Sequence, residues 1–332
     1  MTAAARKAGL GAAGYRNWTM TTLHQLGERE VIRRLAKLLP GRADVRVGIG
    51  DDVAVVAVEG GHRDFLLTSD AVIEGTHFLP GAAPEQIGHK AVGRVLSDFA
   101  AMGGEPLWAL VDVVANRDMP LKRLEGVYRG AAKLAGKYGL SIIGGDMAGG
   151  PELQLHVFGV GEIPKRSAVL RSGARAGDVI YVTGALGGSL AGKHLSFEPR
   201  LEEGLWLRES RWANAMIDIS DGLATDLGHI LEMSKVGAEI SADAIPVSTA
   251  ARKMKTGRTS LEHALFDGED FELLFTVSAE KQPGFESSWK DVFKLPCTAV
   301  GRIVKAPRGI VLVDAAGKKK SLKDAGYEHF SG

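Results

Sequence analysis

The chain has little of three features that would narrow its class at once: cysteine, net charge and long apolar runs. A single cysteine among 332 residues, Cys297, excludes an internal disulfide framework and favours a reducing, cytoplasmic compartment. Lys and Arg number 41 against 40 Asp and Glu, a formal net charge of +1 that gives no basic field for nucleic acid. No run approaches the roughly 18 apolar residues that span a membrane. We therefore expect no nucleic-acid or membrane partner.

The remaining composition is typical of a globular protein with two domains of mixed α/β (α+β) fold. It is 45% hydrophobic and 24% charged. Helical periodicity at residues 26–39, 84–103 and 121–138 alternates with short apolar runs that predict strands. The pattern breaks near Pro164. We expect a flexible leader over residues 1–25, an N-terminal domain over 26–163 and a C-terminal α/β domain over 164–332.

Aspartates recur at the ends of strand-like or helical runs, beside small residues. Two carboxylates about 5 Å apart repel by roughly 3 kcal/mol at an effective dielectric of about 20, so such a cluster folds stably around cations. Glycine and serine also allow a hard ion and a phosphate to approach closely. The pattern predicts a site for several metal ions, with aspartates in five segments: 48–52, 68–70, 97–98, 144–146 and 218–222.

Each segment taken alone also has an ordinary explanation. Asp52 fits an Asx-type turn, and Asp98 fits an i,i+4 pair with Arg94. Asp221 stands where a helix is expected to begin and fits an N-cap. The segment Thr68-Ser69-Asp70 is more specific, because two hydroxyls and a carboxylate at a strand end suit Mg²⁺. These alternatives stay open at the level of single motifs.

A glycine-rich turn at residues 184–188 precedes a helical run, but it matches neither the Rossmann pattern nor the P-loop pattern. A plain tight turn is the simpler interpretation. Without a P-loop lysine, the charge of a bound triphosphate has to be neutralised mainly by metal ions. Arg171 is the nearest candidate for a direct phosphate contact, and a solvated surface arginine is the alternative.

Nine motifs in register resemble the thiamine-monophosphate kinase family, which belongs to a superfamily with aminoimidazole ribonucleotide synthetase and selenophosphate synthetase. The resemblance covers about residues 26–330. It rests on GIGDD (48–52), TSD (68–70), EGTHF (74–78), LSDFAAMG (96–103), GGD (144–146), RSGARAGD (171–178), DISDGL (218–223), GEDFEL (268–273) and GYEHF (326–330).

This resemblance implies two α/β domains and a homodimer, in which the N-terminal domains pair into a β-barrel-like core with ATP bound near the interface. It also implies roles for residues at matching positions. Several Mg²⁺ ions would be held by Asp52, Thr68, Ser69, Asp70, Asp98, Asp146, Asp218 and Asp221. ATP would contact Tyr128, Gly145, Arg171 and Ser220. Thiamine monophosphate would contact His77, Glu269 and Tyr327.

The implied reaction transfers the γ-phosphoryl group of ATP to thiamine monophosphate, giving thiamine diphosphate, the last step of its biosynthesis. No general base is needed, because a phosphate monoester has a second pKa of about 6 and is already dianionic at neutral pH. The chain departs from the family at Asp267, Phe271, Met147 and Val95, where glycine, tyrosine, threonine and asparagine are frequent. These departures bear on substrate fit more than on metal ligands.

Two alternatives remain at this level. The chain could be another superfamily enzyme that activates an amide oxygen with ATP, although selenophosphate synthetase would need a reactive residue near the N-terminus and Cys297 is far from it. It could instead be a non-catalytic nucleotide or divalent-ion sensor that uses the same carboxylates. Formation of thiamine diphosphate separates these alternatives.

Overall fold

The structure, a computed structural model, describes residues 22–305 and 309–322. The chain divides into two compact units, Met1–Pro40 with Glu328–Gly332, and Gly41–Tyr327. In the described part of the first unit, a capping box formed by Thr22 and Gln25 begins the short helix α1 (Leu23–Leu26). Helix α2 (Glu28–Ala36) follows directly. The larger unit contains both sheets and every predicted site residue that the structure describes.

The first sheet has seven strands in the order β1-β2-β3-β7-β4-β5, with β6 also paired to β4. Its long central strands alternate buried and more exposed residues, as expected for a sheet covered by helices on one face. The strands are β1 (Val45–Val47), β2 (Ala54–Ala57), β3 (Arg63–Ile73), β4 (Glu105–Ala115), β5 (Ser141–Gly144), β6 (Met147–Gly149) and β7 (Gln154–Pro164).

Two helices cover one face of this sheet. Helix α3 (Pro84–Met102) begins with proline in its first turn and ends at Gly103 in the left-handed conformation, which confirms the bounds expected from the sequence. It packs closely against α4 (Leu121–Lys137) because glycines meet backbone across the contact. A Cβ on Gly88 would lie 1.8 Å from the Val127 carbonyl oxygen, and one on Gly130 would lie 1.9 Å from that of Glu85.

The second sheet also has seven strands, in the order β14-β13-β10-β12-β8-β11-β9. Strand β9 lies at its edge and ends at Asp218, opposite Leu273 of β11. The strands are β8 (Val179–Thr183), β9 (Ala213–Asp218), β10 (Gly237–Ser241), β11 (Leu273–Val277), β12 (Cys297–Val304), β13 (Gly309–Val313) and β14 (Lys319–Leu322).

The described residues of the second half of the chain form five further helices: α5 (Leu201–Glu209), α6 (Leu223–Ser234), α7 (Thr249–Lys253), α8 (Ser260–Phe266) and α9 (Gln282–Val292). The two sheets with their helices give the mixed α/β fold that the sequence predicts. The domain boundary near Pro164 stays a prediction, because both sheets lie within the unit Gly41–Tyr327. Within the described residues, no helix combines the length and apolarity needed to cross a membrane.

Candidate active site

Three carboxylates from distant parts of the chain meet in one place, called here the aspartate triad. Asp52 precedes β2, Asp98 lies on α3 and Asp218 ends β9, and each offers an oxygen within 4.8 Å of the others. The Asp52 side chain is 2% exposed and Asp218 is 3% exposed. Carboxylates at this separation repel by roughly 3 kcal/mol per pair at an effective dielectric of about 20. Protons, cationic side chains or metal ions must offset that repulsion.

Two hydroxyls bind the triad. Thr68 Oγ1, on β3, donates to Asp98 Oδ2 at 2.5 Å. Ser97 Oγ, beside Asp98 on α3, donates to Asp218 Oδ2 at 2.5 Å. The Ser97 bond joins the two halves of the chain at the triad, and both hydroxyls add oxygen atoms to the group.

Arg94 does not compensate Asp98 as an i,i+4 partner, so that interpretation of the sequence is wrong. Its guanidinium binds Asp70 instead, with Nε to Oδ2 and Nη2 to Oδ1 both at 2.7 Å. The bidentate geometry across α3 and β3 is stronger and more directional than a surface helix pair. Asp98 therefore has carboxylate neighbours, the Thr68 hydroxyl bond and only a longer-range attraction to Arg94.

The electrostatics of the triad follow from this arrangement. Burial, and then the charges of Asp70 and Asp218, raise the pKa of Asp98 well above its ordinary range. Burial and then Asp52 raise the pKa of Asp218 to about 7. The pKa of neighbouring Asp51 also rises to about 7, through burial and then Asp52. The site thus holds protons near neutral pH, which a divalent ion could replace.

Arg171 closes one side of the triad. It begins the 3₁₀ turn Arg171–Gly173, and its Nη2 lies 2.7 Å from Asp52 Oδ1. Burial alone would lower the pKa of Arg171, but the charge of Asp52 and its hydrogen bond outweigh burial and raise it. Arg171 therefore stays positively charged beside a carboxylate of the triad, and such a guanidinium suits contact with phosphate oxygens.

The loop at residues 267–272 brings a glutamate beside this group. Glu269 N–H donates to the Ser220 carbonyl at 2.7 Å, and Phe271 N–H donates to that of Ile219 at 2.8 Å, so the loop extends the pairing of β9. Glu269 has φ of 65° and Phe271 has φ of 49°. Two non-glycine residues in the left-handed region mark a strained segment, and such segments concentrate at functional sites.

A buried lysine holds Glu269. Lys90 of α3 is 0% exposed, and its Nζ lies 2.6 Å from Glu269 Oε1 and 2.7 Å from Oε2. The same Nζ donates to the His77 carbonyl at 2.6 Å. Arg94 Nη1 adds a contact to Glu269 Oε1 at 3.4 Å. The charge of Glu269 is therefore balanced inside the protein, which favours directional hydrogen bonding over attraction of a free cation.

Comparison with known proteins supplies the family. Two family models match, AIR synthase related protein N-terminal domain at residues 50–163 and its C-terminal domain at 175–314. The thiamine-monophosphate kinase of Aquifex aeolicus is 35% identical over 329 residues, 93% of this chain and 99% of that protein. That of Buchnera aphidicola is 36% identical over 305 residues, 85% of this chain and 92% of that protein. The chain belongs to the thiamine-monophosphate kinase family.

A solved structure of AaThiL complexed with AMPPCP and TMP supports the same assignment for the fold. It has a TM-score of 0.78 and 32% identity, and covers 94% of this chain and 100% of that one. The two-domain α/β fold expected from the resemblance is thereby confirmed. Both triad-bearing halves belong to matched regions, since Asp52 and Asp98 fall in the first family model and Asp218 in the second.

Other residues that the kinase resemblance implies as ligands are grouped around β4 and β5 instead of the triad. Asp146 is exposed after β5, and its N–H donates to Asp112 Oδ1 at 2.8 Å. Burial and then Asp112 raise the pKa of Tyr128, on α4. Gly145 fits only without a side chain, because a Cβ would lie 1.9 Å from the Val111 carbonyl oxygen. Asp146, Gly145 and Tyr128 thus form a second group near β4.

Ser69 lies on the outer face of the first sheet, the face away from α3. Side chains alternate along β3, so Ser69 is exposed while Thr68 and Asp70 point toward α3. Its partner across the sheet is Phe158, which also pairs with Leu110. The structure therefore separates the predicted Thr68-Ser69-Asp70 ligands between two faces of one strand.

The segment after β9 differs from its sequence-based interpretation. Helix α6 begins at Leu223 with Gly222 as its N-cap and no side-chain capping bond, so the expected N-cap role of Asp221 is wrong. Asp221 instead groups with Asp226 and His229, whose ligand atoms lie within 4.8 Å of one another. Asp221 N–H donates to Asp226 Oδ2 at 3.0 Å. Its carboxylate is thus near, but separate from, the triad.

The glycine-rich turn faces the protein's own carboxylates. Gly187 N–H donates to Asp270 Oδ2 at 2.7 Å, and Gly188 N–H donates to Asp267 Oδ2 at 3.1 Å. The plain-turn interpretation therefore fits better than a phosphate cradle. Asp267, which departs from the family pattern, also lies 2.8 Å from His263 Nδ1 and ties this turn to α8.

Two charged groups near the site, Lys90 and Glu272, were not among the predicted site residues. Lys90 carried a usable signal, because it lies four residues before Arg94 on a helix whose other buried residues are mostly apolar. Glu272 lay inside a quoted motif without a role. It is 1% exposed and receives two bonds of 2.7 Å from Arg200 and one of 2.8 Å from Lys193. Tyr327, predicted to contact substrate, lies outside the described residues.

Proposed function

We propose that this protein transfers the γ-phosphoryl group of ATP to thiamine monophosphate, giving ADP and thiamine diphosphate. The observation that carries the proposal is the aspartate triad beside Glu269. A related protein, AaThiL, was solved with AMPPCP and TMP, which supports a nucleotide and thiamine monophosphate as ligands of this fold. A cluster of carboxylates with a basic side chain and no P-loop suits metal-assisted phosphoryl transfer.

The triad fits Mg²⁺. Its donors are carboxylate and hydroxyl oxygens, the ligands that this hard cation prefers. The raised pKa values of Asp98 and Asp218 express a lack of positive charge that such ions would supply. We propose Asp52, Asp98 and Asp218 as ligands, with Thr68 and Asp70 beside them. When bound, Mg²⁺ would offset the repulsion between ATP and the acceptor phosphate.

The carboxylates then act as ligands and as positioning groups, and none is required as a general base. The acceptor phosphate has a second pKa of about 6 and needs no deprotonation at neutral pH. Arg171 is placed to donate to phosphate oxygens once Asp52 is shared with a cation. Ser220 belongs to the same segment, and its carbonyl anchors the Glu269 loop.

We assign thiamine monophosphate to the side of the triad formed by Glu269 and His77. Glu269 retains lone pairs beyond those used by Lys90, so it can accept a hydrogen bond from an N–H of the substrate. His77 is half-buried in the turn after β3, with its Nδ1 accepting from Ile73 N–H at 3.1 Å. Tyr327 remains a proposed third contact from the family motif.

We further propose that two copies pair through the outer face of the first sheet, with ATP bound nearby. Large apolar side chains on this face are exposed to solvent: Trp108 is 43% exposed, Leu110 40% and Phe158 37%. Ser69 lies on this face, Gly145 and Asp146 follow β5 beside it, and Tyr128 of α4 interacts with Asp112 of β4. This supports their proposed roles in holding ATP and its metal ions.

Two coarser expectations remain proposals. The near absence of cysteine supports a cytoplasmic location, since a reducing compartment needs no disulfides. The division into N-terminal and C-terminal domains near Pro164 agrees in position with the gap between the two matched family models, at 163 and 175.

The test is incubation with ATP, Mg²⁺ and thiamine monophosphate, followed by chromatography for thiamine diphosphate. Asp218→Asn should reduce turnover by at least about 100-fold at limiting Mg²⁺, because it removes one ligand charge while keeping the Ser97 bond. Asp178→Asn is the matched control, since Asp178 is 4% exposed but binds Arg175 N–H and Asn214 instead of other carboxylates. Nucleotide binding without product would contradict the kinase and favour a sensor.

A further inference from the structure

The clearest unassigned group near the site is Lys90. It is the one lysine among the buried polar residues of the described chain, with 0% of its surface exposed. Burial lowers its pKa, against the opposing effect of Glu269. A lysine so deep in a helix is costly unless its ammonium is fully paired. Its three donors must therefore be accounted for by specific acceptors.

The acceptors are themselves parts of the proposed substrate pocket. Lys90 Nζ lies 2.6 Å from the His77 carbonyl, 2.6 Å from Glu269 Oε1 and 2.7 Å from Glu269 Oε2. His77 lies in the first half of the chain. Glu269 lies in the second half, 179 positions after Lys90. A single ammonium on α3 thus connects the two proposed contacts.

Glu269 needs such support because its backbone is strained. Its φ of 65° is unfavourable for a residue with a side chain, and the bond from its N–H to the Ser220 carbonyl fixes its backbone but not the direction of its carboxylate. Arg94 offers Glu269 one longer contact of 3.4 Å, while its short bonds go to Asp70. Without Lys90, Glu269 would be drawn toward Arg94 or released.

We infer that Lys90 is a positioning residue for the acceptor substrate: it holds Glu269 in the orientation that receives thiamine monophosphate, using the His77 carbonyl as its anchor. This rests on the proposed function. Lys90 is fully buried and touches no solvent, so it acts on the substrate through Glu269. Lys90 should therefore affect binding of thiamine monophosphate and not binding of ATP, because ATP lies on the other side of the triad in the proposed arrangement.

The experiment measures KM for each substrate in Lys90→Met, which keeps the length and removes the charge. We expect KM for thiamine monophosphate to rise at least about tenfold while KM for ATP changes less than about twofold. Glu269→Gln should raise the same KM, and adding Lys90→Met to it should raise KM little further, because coupled residues are not additive. Lys137→Met is the control, since Lys137 makes an equally short 2.6 Å pair with Glu198 but is 52% exposed.

If Lys90→Met does not fold, the same KM measurements are made on Lys90→Gln, whose amide can still donate a hydrogen bond to Glu269 but lacks the ammonium charge. An unchanged KM for thiamine monophosphate in a folded variant would overturn the inference. Equal increases for both substrates, or additive effects with Glu269→Gln, would also overturn it and leave Lys90 a structural residue. If the wild-type protein forms no thiamine diphosphate, the proposed function fails and the inference fails with it.

Discussion

Replacing Asp98 by asparagine should stabilise the metal-free protein while abolishing its response to Mg²⁺. Asp98 shares the triad with Asp52 and Asp218, with oxygens within 4.8 Å. Each fully ionised pair costs roughly 3 kcal/mol at an effective dielectric of about 20, so the two pairs that include Asp98 set a ceiling of about 6 kcal/mol. The positive charges of Arg94, near Asp98, and of Arg171, beside Asp52, offset part of this repulsion. We expect a net gain of about 2 kcal/mol in the free energy of unfolding.

The gain should grow with pH. Asp218 has an ordinary pKa of 3.8 that the folded site raises to about 7. Between these values the folded protein holds a proton that the unfolded chain has released, so metal-free stability falls as pH rises, by up to about 1.4 kcal/mol per pH unit and group. The fall ends above about pH 7. Asp98→Asn removes one carboxylate from this network, so the free energy of unfolding of the metal-free variant should depend less steeply on pH.

The assay is urea unfolding in EDTA at about pH 5 and about pH 8, repeated with excess Mg²⁺. Wild type should gain about 2.7 kcal/mol when free Mg²⁺ reaches 100 times its dissociation constant, and the variant should gain little. Thr68 can still donate to the amide oxygen of the substituted side chain, so the hydrogen bond is conserved. Asp178→Asn, which relieves no carboxylate repulsion, should only destabilise. An Asp98→Asn protein that is less stable than wild type in EDTA at the higher pH would refute this reasoning.

Two further predictions concern the rest of the fold. Glu272→Gln should destabilise the protein by about 3–5 kcal/mol in urea unfolding, because it leaves the guanidinium of Arg200 and the ammonium of Lys193 without their buried carboxylate partner. The control Glu198→Gln, which breaks an exposed ion pair, should cost under about 1 kcal/mol. Equal effects of the two substitutions would contradict the argument. Trp108→Glu should weaken self-association at least about tenfold in sedimentation without lowering thermal stability, since Trp108 is 43% exposed, and an unchanged dimer would exclude this face as the interface.

Much of the site was predictable because its residues stand at the ends of well-patterned elements. Helix α3 has proline at its start and glycine at its end, and both bounds agree with expectation. Among the triad aspartates, Asp52 comes just before a strand, Asp98 lies in the last two turns of that helix and Asp218 ends a strand. The family motifs then bring Asp52, Asp98 and Asp218 into one group, which no single motif could establish.

The rest depended on contacts between distant residues. Arg94 has a partner within one helical turn, but packing of α3 on β3 gives it the better bidentate partner Asp70. Strand β10 (Gly237–Ser241) has a weak pattern and exists because β12 and β13 pair with it on both sides. The face of Ser69 follows from the register of β3 with β7, which the local sequence does not encode.

Helix α3 also has a mechanical consequence. Lys90, Arg94 and Asp98 stand four residues apart on one rigid rod, so about 12 Å of helix separates the lysine that holds Glu269 from the carboxylate of the triad. The helix therefore sets the distance between the proposed acceptor pocket and the proposed metal site. A single residue inserted between Lys90 and Asp98 would rotate one end of the helix by about 100° relative to the other. The contacts of Lys90 and those of Asp98 could each still form, but the acceptor pocket and the metal site would no longer be aligned.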